Sequence, residues 1–269
     1  MKTNEFKTKI MGVLNANEDS FNKNSRFNPS QAAQRIEQMI EDGADIIDIG
    51  AVSSRPGSLP VSEDIELGRI KDIVNTIYEN KYYEKVDFSI DSYAPKVIDF
   101  VLNKGFNIVN DITGLANDEV CKIASKYNAS VVIMHMQNDP LNMQNDPYYE
   151  NVILDIDNYF TNQVSKAKSF GIKEIILDVG IGFGKTLEHN LDLLNKLNYF
   201  EHFGCELLIG ASRKSMIDKI YPSSVEERLP GTIAIHLKAI ENGASIIRCH
   251  DVKEHKQAIS VLEAITSRN

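Results

Sequence analysis

The sequence predicts a single (β/α)8 barrel of the TIM type, spanning residues 1–269 as one domain. Three observations carry this reading. Eight short, β-rich apolar runs recur along the chain. Helix-length amphipathic stretches lie between them. Dividing 269 residues over eight units gives about 34 each, the size of one strand plus one helix. A doubly wound open sheet is the alternative that the pattern leaves open.

The runs, in order, are 9–15, 45–50, 86–91, 107–111, 130–135, 174–178, 206–210 and 245–248. Each is close to continuously hydrophobic, as expected of parallel strands buried on both faces. Between them, 30–41 reads as a helix because Pro29 starts it and Gly43 follows it. A second clear helical stretch is 225–242. No Gly/Ser-rich linker, low-complexity tract or charge block marks a second domain. The Gln-Asn-Asp-Pro at 137–140 recurs at 144–147, a local echo within a loop.

Composition narrows the function classes. Hydrophobic residues make up 42% and charged residues 25%, ordinary globular values. The net charge is −9, which argues against a broad nucleic-acid or anionic-membrane footprint but leaves room for a local basic pocket. The three cysteines are odd in number and form no CxxC pair, as expected of reduced thiols in a cytoplasmic protein. The N-terminal residues are polar, with no signal-like apolar core, and no apolar run is long enough to span a membrane.

Polar residues collect where the strands end. The first ends at Asn15, the third at Asp91, the fourth at Asn110-Asp111, the fifth at His135 and the sixth at Asp178. The seventh runs into Ser212-Arg213-Lys214 and the eighth into Arg248-Cys249-His250-Asp251. One Asp after a strand is commonly a helix cap, but so many polar ends together are costly to bury without a ligand. In a parallel barrel they converge on one mouth. Asp91, Asn110 and Asp178 suit a flat heterocycle with amino and ring N–H donors. Lys214, Arg248 and His250 suit phosphate or carbonyl oxygen. Arg248 and His250 are two apart on an extended segment and point the same way, while Cys249 points away as a packing residue.

The glycine-rich stretch Asp178-Val-Gly-Ile-Gly-Phe-Gly-Lys185-Thr186 fails both common nucleotide fingerprints. Walker A needs glycine where Val179 stands, and GxGxxG needs glycine where Lys185 stands. The glycines are expected to take positive φ or let backbone approach a ligand. Lys185 reads equally as a solvated helix-start residue or as a contact. No GxSxG or HExxH motif occurs. His189, His202, His236 and His255 read as surface or packing residues.

These residues resemble the dihydropteroate synthases. The matching segments are Met11-Gly-Val-Leu-Asn15, Asp19-Ser-Phe21, Ala44-Asp-Ile-Ile-Asp-Ile-Gly50, Ser54-Arg-Pro-Gly57, Ser89-Ile-Asp-Ser92 and Asn110-Asp-Ile112. They continue through Met134-His-Met-Gln137, Gly180-Ile-Gly-Phe-Gly-Lys185, Ser212-Arg-Lys-Ser215, Gly231-Thr232 and Arg248-Cys-His-Asp-Val252, in order along the whole chain.

The resemblance implies a homodimeric barrel that joins 6-hydroxymethyl-7,8-dihydropterin diphosphate to 4-aminobenzoate with Mg²⁺. It implies a pterin slot of Asp91, Asn110, Met134, Asp178, Phe183, Gly210 and Lys214. Asn15, Arg55, Arg248 and His250 would take the diphosphate, with Asn15 also on Mg²⁺. Phe21, Ser54, Arg55, Pro56, Ser212 and Lys214 would frame the aminobenzoate. Asp91, Lys214, Arg248 and His250 are the implied catalytic groups. The loops depart from the family pattern: Asn17-Glu18 stands where Thr-Pro is common, Ala51-Val52-Ser53-Ser54 where Gly-Glu-Ser-Thr is common, and Val179 where proline is common. Two other classes fit a pterin slot, a corrinoid-dependent methyltetrahydrofolate methyltransferase and a non-catalytic pterin-binding barrel. The first has no use for a diphosphate site.

Overall fold

A computed structural model describes residues 7–16, 29–52, 61–138 and 141–267. Eight strands close into one parallel barrel in chain order. They are β1 (Lys9–Asn15), β2 (Ile46–Gly50), β3 (Asp87–Asp91), β4 (Ile108–Asp111), β5 (Ser130–Met134), β6 (Ile175–Asp178), β7 (Glu206–Ile209) and β8 (Ile246–Cys249). The helices between them are α1 (Pro29–Glu41), α2 (Glu63–Glu79), α3 (Pro95–Leu102), α4 (Asp118–Tyr127), α5 (Val152–Ser169), α6 (Leu187–Asn195), α7 (Ser215–Ile220) and α8 (Leu229–Glu241), with α9 (Val252–Thr266) after β8. The open-sheet alternative is thereby excluded, since β1 pairs with β8 as well as β2.

All eight predicted strands are present, with ends shifted by a residue at most. The predicted helix at 225–242 starts later. A 3-10 turn at Glu226–Arg228 precedes α8, and Pro230, which has no N–H to donate, sits in the first turn of that helix. Thr186 caps α6 by accepting from the His189 N–H, while His189 Nδ1 accepts from the Thr186 N–H. Among the described residues, no helix is long and apolar enough to cross a membrane.

Strand residues alternate between two apolar layers. Outward side chains such as Ile47, Ile49, Phe88, Ile133, Leu177 and Ile209 join the helices' inner faces in one large core. Inward side chains Met11, Ile46, Ile108, Val132, Ile176, Leu208 and Ile246 fill the lumen as a separate cluster. That cluster floors the barrel and forces whatever lies above it to face the mouth.

Candidate active site

Two residues beyond each floor residue, the same face of the strand points into the lumen again. Those positions carry Asp48 above Ile46, Asn110 above Ile108, Met134 above Val132, Asp178 above Ile176, Gly210 above Leu208 and Arg248 above Ile246. The register sets Asp91 beside Gly50 and Asn110, and Met134 beside Asp178. A polar rung therefore sits directly on an apolar one.

Arg248 organises this rung. Its Nε donates to Asp48 Oδ2 at 2.7 Å and its Nη2 to Asp91 Oδ2 at 2.7 Å. Asn110 Nδ2 donates to the same Asp48 oxygen at 3.1 Å. Asp48 is 0% exposed, and its other oxygen, Oδ1, has no hydrogen-bond partner among the described residues; nor has the buried Ser89 Oγ. A buried carboxylate oxygen left in that condition is costly and suits a ligand N–H.

The glycine-rich loop after β6 supplies the next layer. Gly180 has φ +69°, and a Cβ there would overlap the His135 carbonyl oxygen. Gly184 has φ +62° and lies against Gln137 backbone. Both positions thus need glycine on steric grounds. Asp178 Oδ1 accepts from the Gly180 N–H at 2.8 Å. Lys185 turns inward beneath the loop and is 2% exposed, which overturns the solvated reading. Its ammonium donates to the Phe183 carbonyl at 2.9 Å, the His135 carbonyl at 3.2 Å and His135 Nδ1 at 3.1 Å. Lys214 reaches over the same loop, donating to the Ile181 carbonyl at 2.6 Å, with Nζ 3.8 Å from the centre of the Phe183 ring.

The electrostatics follow from burial. It pushes Lys214 down to about 7, helped by the nearby Arg248 charge and opposed by Asp178 and Asp91. It pushes Lys185 down to about 7 as well, with Lys214 adding to the shift and Asp178 opposing it. Burial raises the Asp178 and Asp91 carboxyls; Arg248 opposes the rise at Asp91, while Asp48 adds to it. Burial thus disfavours the charged form of both the lysines and the carboxyls at one mouth, a pattern common at functional sites.

The rim completes the site. Ser212 Oγ lies 2.9 Å from His250 Nδ1 and accepts from the His250 N–H at 3.3 Å. A cleft of about 520 Å³ opens beside it, lined by Val13, Asn15 and His250 and by Gln34, Arg35 and Gln38 of α1. Asn15, partly exposed at the end of β1, thus shares a wall with His250.

The structure gathers Asn15, Asp91, Asn110, Met134, Asp178, Phe183, Gly210, Ser212, Lys214, Arg248 and His250 at one end of the barrel. Phe21, Ser54, Arg55 and Pro56 lie outside the described residues. Two polar ends serve the scaffold instead. Asp111 faces away from the lumen and accepts from the Thr113 and Leu115 N–H groups, closing its own loop. His135 faces Lys185. The sequence reading passed over Asp48, whose only signal is its parity with Gly50 and Ile46 on β2. Arg213, which the sequence places among the polar residues after the seventh run, pairs bidentately with Asp251 and so ties the β7 and β8 loops together. Cys249 is buried as expected, and burial pushes its thiol up.

A (β/α)8 barrel with a charged lumenal rung at the strands' C-terminal ends defines the class: a small-molecule site built for a polar ring with an anionic tail. A family model described as pterin binding enzyme matches residues 11–250. The dihydropteroate synthase of Escherichia coli K12 is 40% identical over 261 residues, covering 96% of this chain and 92% of that one. A Yersinia pestis dihydropteroate synthase, crystallised with a sulfonamide drug complex, superposes with a TM-score of 0.91 at 38% identity, covering 97% of this chain and 95% of that one. A Thermus thermophilus dihydropteroate synthase in complex with 4-aminobenzoate superposes with a TM-score of 0.87 at 34% identity, covering 96% and 95%. The chain belongs to the pterin binding enzymes and, within them, to the dihydropteroate synthases.

Proposed function

We propose that this chain condenses 6-hydroxymethyl-7,8-dihydropterin diphosphate with 4-aminobenzoate, giving 7,8-dihydropteroate and diphosphate. The observation that carries the reading is the lumenal rung in which Arg248 bridges Asp48 and Asp91, with Asn110 and Asp178 beside it and Lys214 above. Asp178, Asn110 and Asp48 Oδ1, which has no partner among the described residues, would accept the amino and ring N–H groups of the pterin. Lys214 would donate to its carbonyl oxygen, and Met134, Phe183 and the bare Gly210 would leave a slot for the flat ring.

The diphosphate would then lie toward Arg248, His250 and Asn15. An aromatic amine is a nucleophile near neutral pH, so no activated serine or cysteine is needed. The difficult step is breaking the methylene C–O bond, whose electron pair departs with the diphosphate. Arg248 and His250 would stabilise that charge as it develops. Asp91 would stabilise the cationic methylene with a nearby carboxylate, favouring dissociative displacement. The amine lone pair closes the C–N bond, and the nitrogen's extra proton passes to solvent water. Burial lowers Lys214 to about 7, and an anion bound beside it would favour its charged form. Ser212 would help hold the aminobenzoate.

Among the described residues, no group of three or more His, Cys, Asp or Glu is arranged to hold a metal. Mg²⁺ is compatible with that, because it keeps several waters and binds through one or two protein oxygens plus substrate phosphates. The Asn15 amide oxygen, at the rim beside His250, fits such a site. When bound there, Mg²⁺ would supply charge neutralisation on the diphosphate. A homodimer in the cytoplasm belongs to the same reading; the three free thiols fit a reducing compartment, and sedimentation velocity tests the dimer.

The test is diphosphate release from the pterin substrate with and without 4-aminobenzoate. One diphosphate per dihydropteroate, dependent on the amine, supports the synthase. No amine-dependent release overturns it in favour of a binding barrel, and methyl transfer from methyltetrahydrofolate would point to the corrinoid class.

A further inference from the structure

Two histidines behind the site, His236 on α8 and His255 on α9, hydrogen-bond to none of the described residues proposed as substrate ligands. Their rings are 0% and 1% exposed. His236 Nε2 lies 3.1 Å from the Ala211 nitrogen and accepts its N–H. That leaves the His236 proton on Nδ1, which is 2.8 Å from His255 Nε2. His255 Nε2 must therefore accept, and its own proton sits on Nδ1, 2.6 Å from the Asp251 carbonyl oxygen. Only one proton arrangement satisfies all three bonds: both rings neutral, both carrying Nδ1–H. A second proton on either ring sets two donors face to face and breaks the chain at one point.

The two ends of this chain are the loops that carry the rim. Ala211 precedes Ser212, Arg213 and Lys214 in the loop after β7; Asp251 follows His250 after β8. The same loops are tied again nearer the mouth. Arg213 Nε and Nη2 donate to Asp251 at 3.0 and 2.6 Å, and Ser212 Oγ meets His250. Arg213 has φ +56°, a conformation unfavourable for a residue with a Cβ. Its N–H donates to Thr232 Oγ1 on α8 at 2.9 Å, and Arg228 Nη1 donates to its carbonyl at 3.2 Å. A loop held in a strained conformation persists only when its surroundings over-determine it.

We propose that His236 and His255 are positioning residues whose directional hydrogen-bond chain fixes the β7 and β8 loops relative to each other, so that Ser212, Lys214 and His250 present one preorganised rim to the two substrates. The catalytic part of this inference rests on the synthase reading; the hydrogen-bond chain itself does not. Burial pushes both rings below the ordinary histidine range, consistent with their neutral forms. The charged groups facing the pair are Asp251 and Glu254, on the loop and first turn of α9.

Histidine ring ¹⁵N spectra of the full chain test the proton arrangement without any substrate. The expected result is two neutral Nδ1–H rings that do not titrate between about pH 6 and 8. An Nε2–H form, or titration of either ring in that window, overturns the proposal. In His236→Leu, the His250 ring signals are expected to shift; unmoved signals overturn the positioning role. With substrates, His236→Leu is expected to lower kcat by about tenfold or more, the scale of a small misplacement, while each KM changes less. His236→Gln restores an acceptor and a donor at similar separation and is expected to recover most of the rate. A folded His236→Leu with unchanged kcat, or a loss that His236→Gln does not rescue, overturns the role. If His236→Leu does not fold, the parent spectra and His236→Gln decide. Absence of amine-dependent diphosphate release by the parent chain would sink the synthase reading while leaving the spectral arm intact.

Discussion

Arg248→Ala removes the only cation hydrogen-bonded to Asp48 and Asp91 among the described residues. Both of its bonds are 2.7 Å, and Asp48 is fully buried. Removing one partner of a buried, bonded charge pair costs about 3–5 kcal/mol, mostly because the remaining charge is left uncompensated. Here two carboxylates remain, so the variant is expected at the upper end of that range in urea unfolding. Turnover at saturating substrates is expected to fall by about 10²–10³, the scale for losing one preorganised donor to developing charge. The two losses have different origins and separate in a double variant. Asp48→Asn in the Arg248→Ala background removes one stranded charge, so stability recovers in part while turnover does not. The measurement is kcat beside urea midpoints for the two single variants and the double. Wild-type kcat in Arg248→Ala, or stability losses that simply add, would show that the rung does not work as described.

Other perturbations probe the loop and the titrations. Gly180→Ala drives a Cβ into the His135 carbonyl at φ +69° and is expected to lower stability by at least about 1–2 kcal/mol, read by thermal melting; an unchanged Tm contradicts the fit. Burial lowers Lys185 from 10.5 to about 7, so between those values the folded chain binds fewer protons than the unfolded one and stability rises with pH. Between about pH 7.5 and 8.5 that group adds up to about 1.4 kcal/mol per pH unit, and Lys185→Met is expected to flatten the urea-derived slope by that share. Asp178→Asn keeps an oxygen to accept from the Gly180 N–H but loses the charge proposed to face the ring, so pterin diphosphate affinity by calorimetry should fall about tenfold or more while the melting point holds.

The barrel was legible because its strands are buried on both faces and read as unbroken apolar runs. The rim was legible for a related reason: Asp91, Asn110, Asp178 and Arg248 interrupt those runs at their ends, and Lys214 follows the seventh closely, where polar groups are costly to bury alone. Asp48 escaped because it sits within β2, and only the pairing Val13↔Asp48↔Ser89 places it in the lumen. Lys185 could not be assigned from sequence, since its burial depends on three positive-φ glycines folding the loop over it. His236 and His255 read from sequence as surface or packing residues, and both are buried. Their hydrogen-bond chain arises only when α8 and α9 meet behind β7, a contact between helices separated by β8 in sequence. Asp111 shows the converse: a polar strand end that satisfies its own loop.

A crystal structure of the chain with 6-hydroxymethyl-7,8-dihydropterin diphosphate bound is the most decisive observation. The expected result is a flat ring above the Ile46–Ile176–Leu208 floor, its N–H groups on Asp178, Asn110 and Asp48 Oδ1, and its diphosphate toward His250 and Asn15. A ring seated elsewhere, with the Asp48–Arg248–Asp91 bridge untouched and Asp178 facing only Gly180, would contradict the proposal that this rung is the pterin site.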